Sequence, residues 1–120
     1  MTVKYKLFKF KLDIKNDIIE IGGGEGDLCK ILIKLGYKVV LFIEPDVNKY
    51  KKATRKLRNI ECLNKNIEDI DCKKINSTSS NVTVIMQDVI EHIDIDSQKI
   101  FFEQLGSNYK QINLIGRTPN

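Results

Sequence analysis

The sequence has no tryptophan, two prolines, two methionines, one histidine and three cysteines in 120 residues. Each shortage excludes something. Cys29, Cys62 and Cys72 are odd in number and have no C-x-x-C spacing. They build neither a disulfide framework nor a zinc site, and read as reduced thiols. No apolar run approaches the ~20 residues that span a bilayer. Residues 1–15 set a lysine among the apolar residues every two or three positions, without the continuous apolar core of a signal peptide. The expectation is a soluble cytoplasmic protein with no membrane partner. A chain this short has room for a single domain, 1–120.

What is present is a modest core and a lysine-rich surface. Hydrophobic residues make up 42% and the net charge is +4. Basic residues cluster at 4–15 and 49–58, whereas 61–96 is net acidic. A nucleic-acid partner calls for basic patches with interleaved arginines and aromatics. The second cluster reads instead as the solvated face of a helix, which argues against such a partner.

The chain is organised around residues 17–27, DIIEIGGGEGD. A short apolar run carrying Glu20 breaks into Gly22, Gly23, Gly24 and Gly26, and a helical pattern follows. This is the strand, glycine turn and helix of a nucleotide-binding βαβ unit. Leu28, Ile31, Leu32 and Leu35 recur at helical spacing, with Asp27 at the positive helix start and Gly36 at the C-terminal cap. The run 38–43 is a second strand ending at Glu44, Pro45 and Asp46, where Asp46 is a candidate cap for a helix with apolar Val47, Tyr50, Ala53 or Thr54, and Leu57. Short strands are expected at 61–63, 82–86 and 111–115. The region 64–80 reads as an irregular loop, and Ile100, Phe101 and Leu105 mark a third helix closed by Gly106. Loose alternation at 3–12 predicts a lysine-studded edge strand. The order implies a parallel α/β sheet, with ligands at the carboxyl ends of the strands. The glycine loop, Glu44, Asn66 and Asp88 all fall just past such ends. A dinucleotide site would place its third glycine at Asp27, where an acid would repel the pyrophosphate.

Glu20-Ile21-Gly22-Gly23-Gly24-Glu25-Gly26, Glu44, 88–93 (DVIEHI) and 118–120 (TPN), in that order, resemble the class I S-adenosylmethionine-dependent methyltransferases, most of all the ubiquinone-biosynthesis-like, small-molecule type. The resemblance implies a Rossmann-like three-layer sandwich with a mostly parallel sheet, lacking the usual last two strands. It implies S-adenosyl-L-methionine as cofactor. Gly22, Gly23, Gly24 and Gly26 would make room for its methionine part, and Glu20 would lie near the ammonium group. Glu44 would accept from both ribose hydroxyls, Pro45 would lie beside the adenine, and Asn66 and the Ile67 N–H would meet its edge. Asp88 and Val89 would line the site. His92, whose kind titrates near neutrality, is the acid/base candidate. Asp88, Glu91 and His92 also resemble part of the metal site of some RNA 2′-O-methyltransferases, but that site needs a second histidine, so no metal is expected. Two functions follow: a methyltransferase acting on a small-molecule acceptor, or a non-catalytic methyltransferase-like subunit. An exposed sheet edge would call for a homodimer or a partner chain.

Overall fold

A strand buried on both faces needs a layer of helix on each side, and the apolar runs at 17–21 and 38–43 obtain both. The computed structural model describes residues 12–87 and 93–117. Its elements are β1 (Asp17–Ile21), α1 (Asp27–Lys34), β2 (Lys38–Ile43), α2 (Val47–Lys56) and β3 (Cys62–Leu63). Two 3₁₀ turns, Ile67–Asp69 and Cys72–Lys74, precede β4 (Asn81–Gln87), α3 (Ile95–Leu105) and β5 (Gln111–Arg117). The strands pair in the order β3-β2-β1-β4-β5, every pair parallel. This is the parallel α/β sheet that the element order predicts, in the Rossmann-like sandwich that the resemblance implies.

The two faces hold separate cores. On one, Leu28, Cys29 and Leu32 of α1 and Ala53 and Leu57 at α2 pack on Ile18, Val39, Phe42 and Ile85. On the other, Ile67, Ile70, Cys72 and Ile75 of the 3₁₀ segment join Phe101 and Leu105 of α3 over Ile19, Ile21, Val84 and Met86. A register shift between β1 and β2 pairs Ile18 with Val39 but Ile19 with Leu41. Val40 is the extra residue, and Val40 and Leu41 both join the α3-side core.

Helix ends follow local chemistry. Gly36, at φ 95°, ends α1 with the paired bonds of a Schellman turn: Gly36 N–H to Ile33 O and Tyr37 N–H to Leu32 O, both 3.0 Å. Asp46 caps α2 by accepting from the N–H groups of Asn48 and Lys49 at 2.9 and 3.1 Å. Gly106 differs from expectation. It follows α3 with φ −61°, so that helix closes by continuing its own turn rather than by a left-handed residue. The strand expected over 3–12 falls, but for Leu12, outside the described residues.

The irregular segment 64–80 is tied down at the amino-terminal side of the sheet by a residue that reads in the sequence as nothing more than a strand start. Asp17, 1% exposed, accepts from the N–H groups of Thr78 (2.8 Å) and Ser79 (3.3 Å), the Thr78 hydroxyl and the Tyr109 hydroxyl (2.8 Å). A buried carboxylate with this many donors is a stable arrangement, because its desolvation is offset by charge-assisted bonds.

Candidate functional site

The strand order reverses between β1 and β4, which neighbour each other while their following helices leave to opposite faces. That crevice, at the carboxyl ends of the strands, is where open parallel sheets take ligands. The glycine loop lies at its head. Gly22 and Gly23 donate to Ile43 O at 2.8 and 3.4 Å, so the loop is laid across the end of β2. A Cβ on Gly23 would stand 2.1 Å from Phe42 Cε2 and 2.9 Å from the Glu20 carboxyl carbon, so backbone passes here where no side chain fits. Gly24 has open space around it but a φ of +63°, which an L side chain adopts only with strain.

The positive-φ turn aims the Gly24 N–H at Glu44. One Glu44 carboxylate oxygen accepts from Gly24 N–H and the other from Asp46 N–H, each at 2.8 Å. Glu44 is 5% exposed. Its own carbonyl and that of Pro45 accept from the Asn64 side-chain amide, both at 2.9 Å. The carboxylate therefore braces three things at once: the glycine loop, the end of β2 and the start of α2. Glu20 is fully buried, its carboxyl close against Gly23 of the loop. Its charge acts on the nearby Cys29 thiol, which burial first, then Glu20 and Cys62, push well above the usual range.

Beside the loop is a cavity of about 270 Å³. Ile21, Ile43, Pro45, Ile67 and Ile93 supply apolar walls, and Lys65, Asn66, Glu68, Asp94 and Ser97 supply polar ones. Of the residues expected at a site, Gly22, Pro45, Asn66 and Ile67 line this cavity. Glu20, Gly23, Gly24, Gly26 and Glu44 are not among its lining residues. Asp88, Val89 and His92 lie outside the described residues. The sequence reading did not place Ile21, Ile43, Lys65, Glu68, Ile93, Asp94 and Ser97 there. The last two carried a usable signal: Asp94 caps α3 by accepting from Ser97 N–H at 3.3 Å, an acid-x-x-Ser start that places the helix N-terminus at the cavity.

Outside the cavity, exposed ion pairs join the loop to α2: Lys56 with Asp27 at 2.8 Å and with Glu25 at 3.9 Å, and Lys52 with Glu25 at 3.6 Å. Solvent screens exposed pairs of this kind, so they steady the loop rather than hold it. Among the described residues, no three His, Cys, Asp or Glu side chains gather as metal ligands, and no helix is long and apolar enough to cross a membrane.

No protein-family model and no curated protein sequence matches the chain. Solved structures do match. A TehB-like S-adenosylmethionine-dependent methyltransferase from Corynebacterium glutamicum superposes with a TM-score of 0.64 at 13% identity, over 87% of this chain and 54% of that one. The glycopeptide N-methyltransferase MtfA, crystallised with S-adenosylmethionine, gives 0.65 at 12% identity, over 90% and 49%. The methyltransferase domain of bacterial CtHen1 gives 0.62 at 24% identity, over 99% and 63%. The fold is therefore that of the class I S-adenosylmethionine-dependent methyltransferases. The chain spans about half to five-eighths of the length of these three structures.

Proposed function

We propose that the chain binds S-adenosylmethionine in the cleft between the glycine loop and residues 65–68 and 93–97, and that it is the cofactor-binding core of a methyltransferase acting on a small-molecule acceptor. One observation carries the reading: a glycine loop clasped by the carboxylate at the end of β2, beside an apolar cavity with an amide on its wall. Similar folds support it, since MtfA was crystallised with S-adenosylmethionine, S-adenosylhomocysteine and sinefungin.

The residues present fit such a nucleoside. Ile43, Pro45 and Ile67 offer a dry surface to a flat ring, and the volume of about 270 Å³ is near the lower end of small-molecule pockets, which suits the nucleoside part alone. Asn66 can both donate to and accept from the edge of a base. Glu44 spends one acceptor position of each oxygen on a backbone N–H. A carboxylate has about four such positions, so capacity for two hydroxyl donors remains. Bound there, the cofactor would supply a methyl group already activated on sulfonium sulfur. The chain's own task is then to hold and align the reactants, exclude water and, where the acceptor carries a proton, receive it. His92, beyond β4, is the proton acceptor of this reading. Free thiols at Cys29, Cys62 and Cys72 suit a reducing cytoplasm.

Titration calorimetry with S-adenosylmethionine and S-adenosylhomocysteine tests the shared claim. Saturable binding is expected, and no heat at millimolar ligand overturns it. Transfer of a labelled methyl group to small molecules of a cell extract separates an enzyme from a binding subunit. We also propose that a second chain or copy covers the outer edge of β5, where Leu114 is 47% exposed. Light scattering that shows only monomer at high concentration would remove that proposal.

A further inference from the structure

A second concavity, of about 310 Å³, lies away from the cofactor cleft and shares no lining residue with it. Lys30, Ile33 and Lys34 of α1 form one side. Lys56, at the end of α2, and Leu57, Arg58, Asn59 and Ile60 after it form the other. Lys30 and Lys34 are four apart on one helix and so share a face. Four cations and no carboxylate line the groove. Lys56 is engaged with Asp27 at 2.8 Å. Among the described residues, Lys30, Lys34 and Arg58 have no acid within ion-pair distance, and all three are exposed. Exposed Lys51 and Arg55 extend the positive field along α2, while Lys52 there is paired with Glu25 at 3.6 Å. As a helix pattern these residues look like two separate wet faces. Packed together they make one concave cationic surface with an apolar floor of Ile33, Leu57 and Ile60.

We propose that this groove binds the phosphodiester backbone of a nucleic acid. A repeating polyanion matches several cations lining one groove, three of them without an acid partner among the described residues, and each such cation gains by releasing counterions from the polymer. No aromatic side chain lines the groove, so bases have nothing to stack on, and binding is independent of sequence. The inference does not depend on methyl transfer, because the groove and the cleft are separate surfaces.

The test is fluorescence anisotropy of the full chain with a labelled 20-nucleotide single-stranded RNA of mixed sequence and with the matching DNA. Three phosphate contacts to a single strand predict a log–log salt slope of about −2, that is, about 20-fold weaker binding at 200 mM than at 50 mM salt. The triple variant Lys30→Gln/Lys34→Gln/Arg58→Gln should lose at least 10-fold in affinity. The charge-keeping variant Lys30→Arg/Lys34→Arg/Arg58→Lys should bind as the parent does, and circular dichroism checks that both are folded. Equal affinity for RNA and DNA supports recognition of the shared backbone, and a preference supports it while naming the source. The proposal fails if neither probe binds at 50 mM salt. It fails if Lys73→Gln/Lys74→Gln/Lys99→Gln weakens binding as much as the groove variant, since net charge alone would then explain it. It also fails if a poly-glutamate peptide of equal charge displaces the probe as well as unlabelled RNA, since the groove would then select acidic peptides equally.

Discussion

Replacing Gly23 with alanine tests how tightly the glycine loop is built against the sheet. Gly23 does not have a positive φ, so the new methyl brings a steric cost without backbone strain. That methyl would meet Phe42 Cε2 at 2.1 Å, Cζ at 2.8 Å and the Glu20 carboxyl carbon at 2.9 Å, where ordinary contacts are 3.4–4 Å. Phe42 is fully buried in the core beneath α1 and α2 and cannot swing out. Overpacking of this kind costs about 1–3 kcal/mol, and the immobile ring puts Gly23→Ala near the top of that range. With a urea m-value of about 1.5 kcal/mol/M, a loss of ~3 kcal/mol lowers the midpoint by about 2 M. The chain has no tryptophan, so the transition is followed by circular dichroism. Phe42→Leu removes both clashing ring atoms and costs ~1–2 kcal/mol alone. In the Gly23→Ala background it should cost far less, giving a coupling of about 1–2 kcal/mol. Strict additivity, or an unchanged midpoint in Gly23→Ala, would refute the close approach of loop and ring.

Two further outcomes follow from the same geometry. Glu44→Ala strands the N–H groups of Gly24 and Asp46, and should lower the stability of the ligand-free chain by ~2–4 kcal/mol, with Glu44→Gln losing about half as much. Denaturant midpoints read this, and cofactor affinity in calorimetry should fall ~10- to 100-fold besides. Tyr109 is pushed above its ordinary value of 10.0 by burial and by its hydrogen bond to Asp17 and that group's charge. The folded state thus holds this proton more tightly than the unfolded chain. Its contribution is complete below pH 10 and is lost as pH rises through the folded value. Tyr109→Phe should flatten that alkaline fall in a series of melts, and an identical fall in the variant would exclude Tyr109 as its source.

How far the sequence was legible depended on the range of the interaction. Strand β1, the glycine turn, the Gly36 closure of α1 and the Asp46 cap of α2 are each specified within a few neighbouring residues, and the structure has them where the pattern put them. Glu44 stands out in the sequence by its place at a strand end. Its bond to Gly24, 20 residues back, does not, because a strand end says nothing about which loop will fold over it. Asp17 marks the limit more sharply. Its partners lie 61, 62 and 92 residues away, and nothing local distinguishes a buried carboxylate with four donors from a polar strand start. The cavity wall fails to read out for the same reason: Glu68 and Ser97 meet only after the 3₁₀ segment packs against α3. The cations follow this rule too. Lys30 and Lys34 on one helix, and Lys56 and Arg58 at the end of another, are ordinary wet-face residues until the sheet sets those two helices side by side. What the local pattern records as solubility, the packing turns into a surface with a shape, and shape together with charge is what a polymeric anion can recognise.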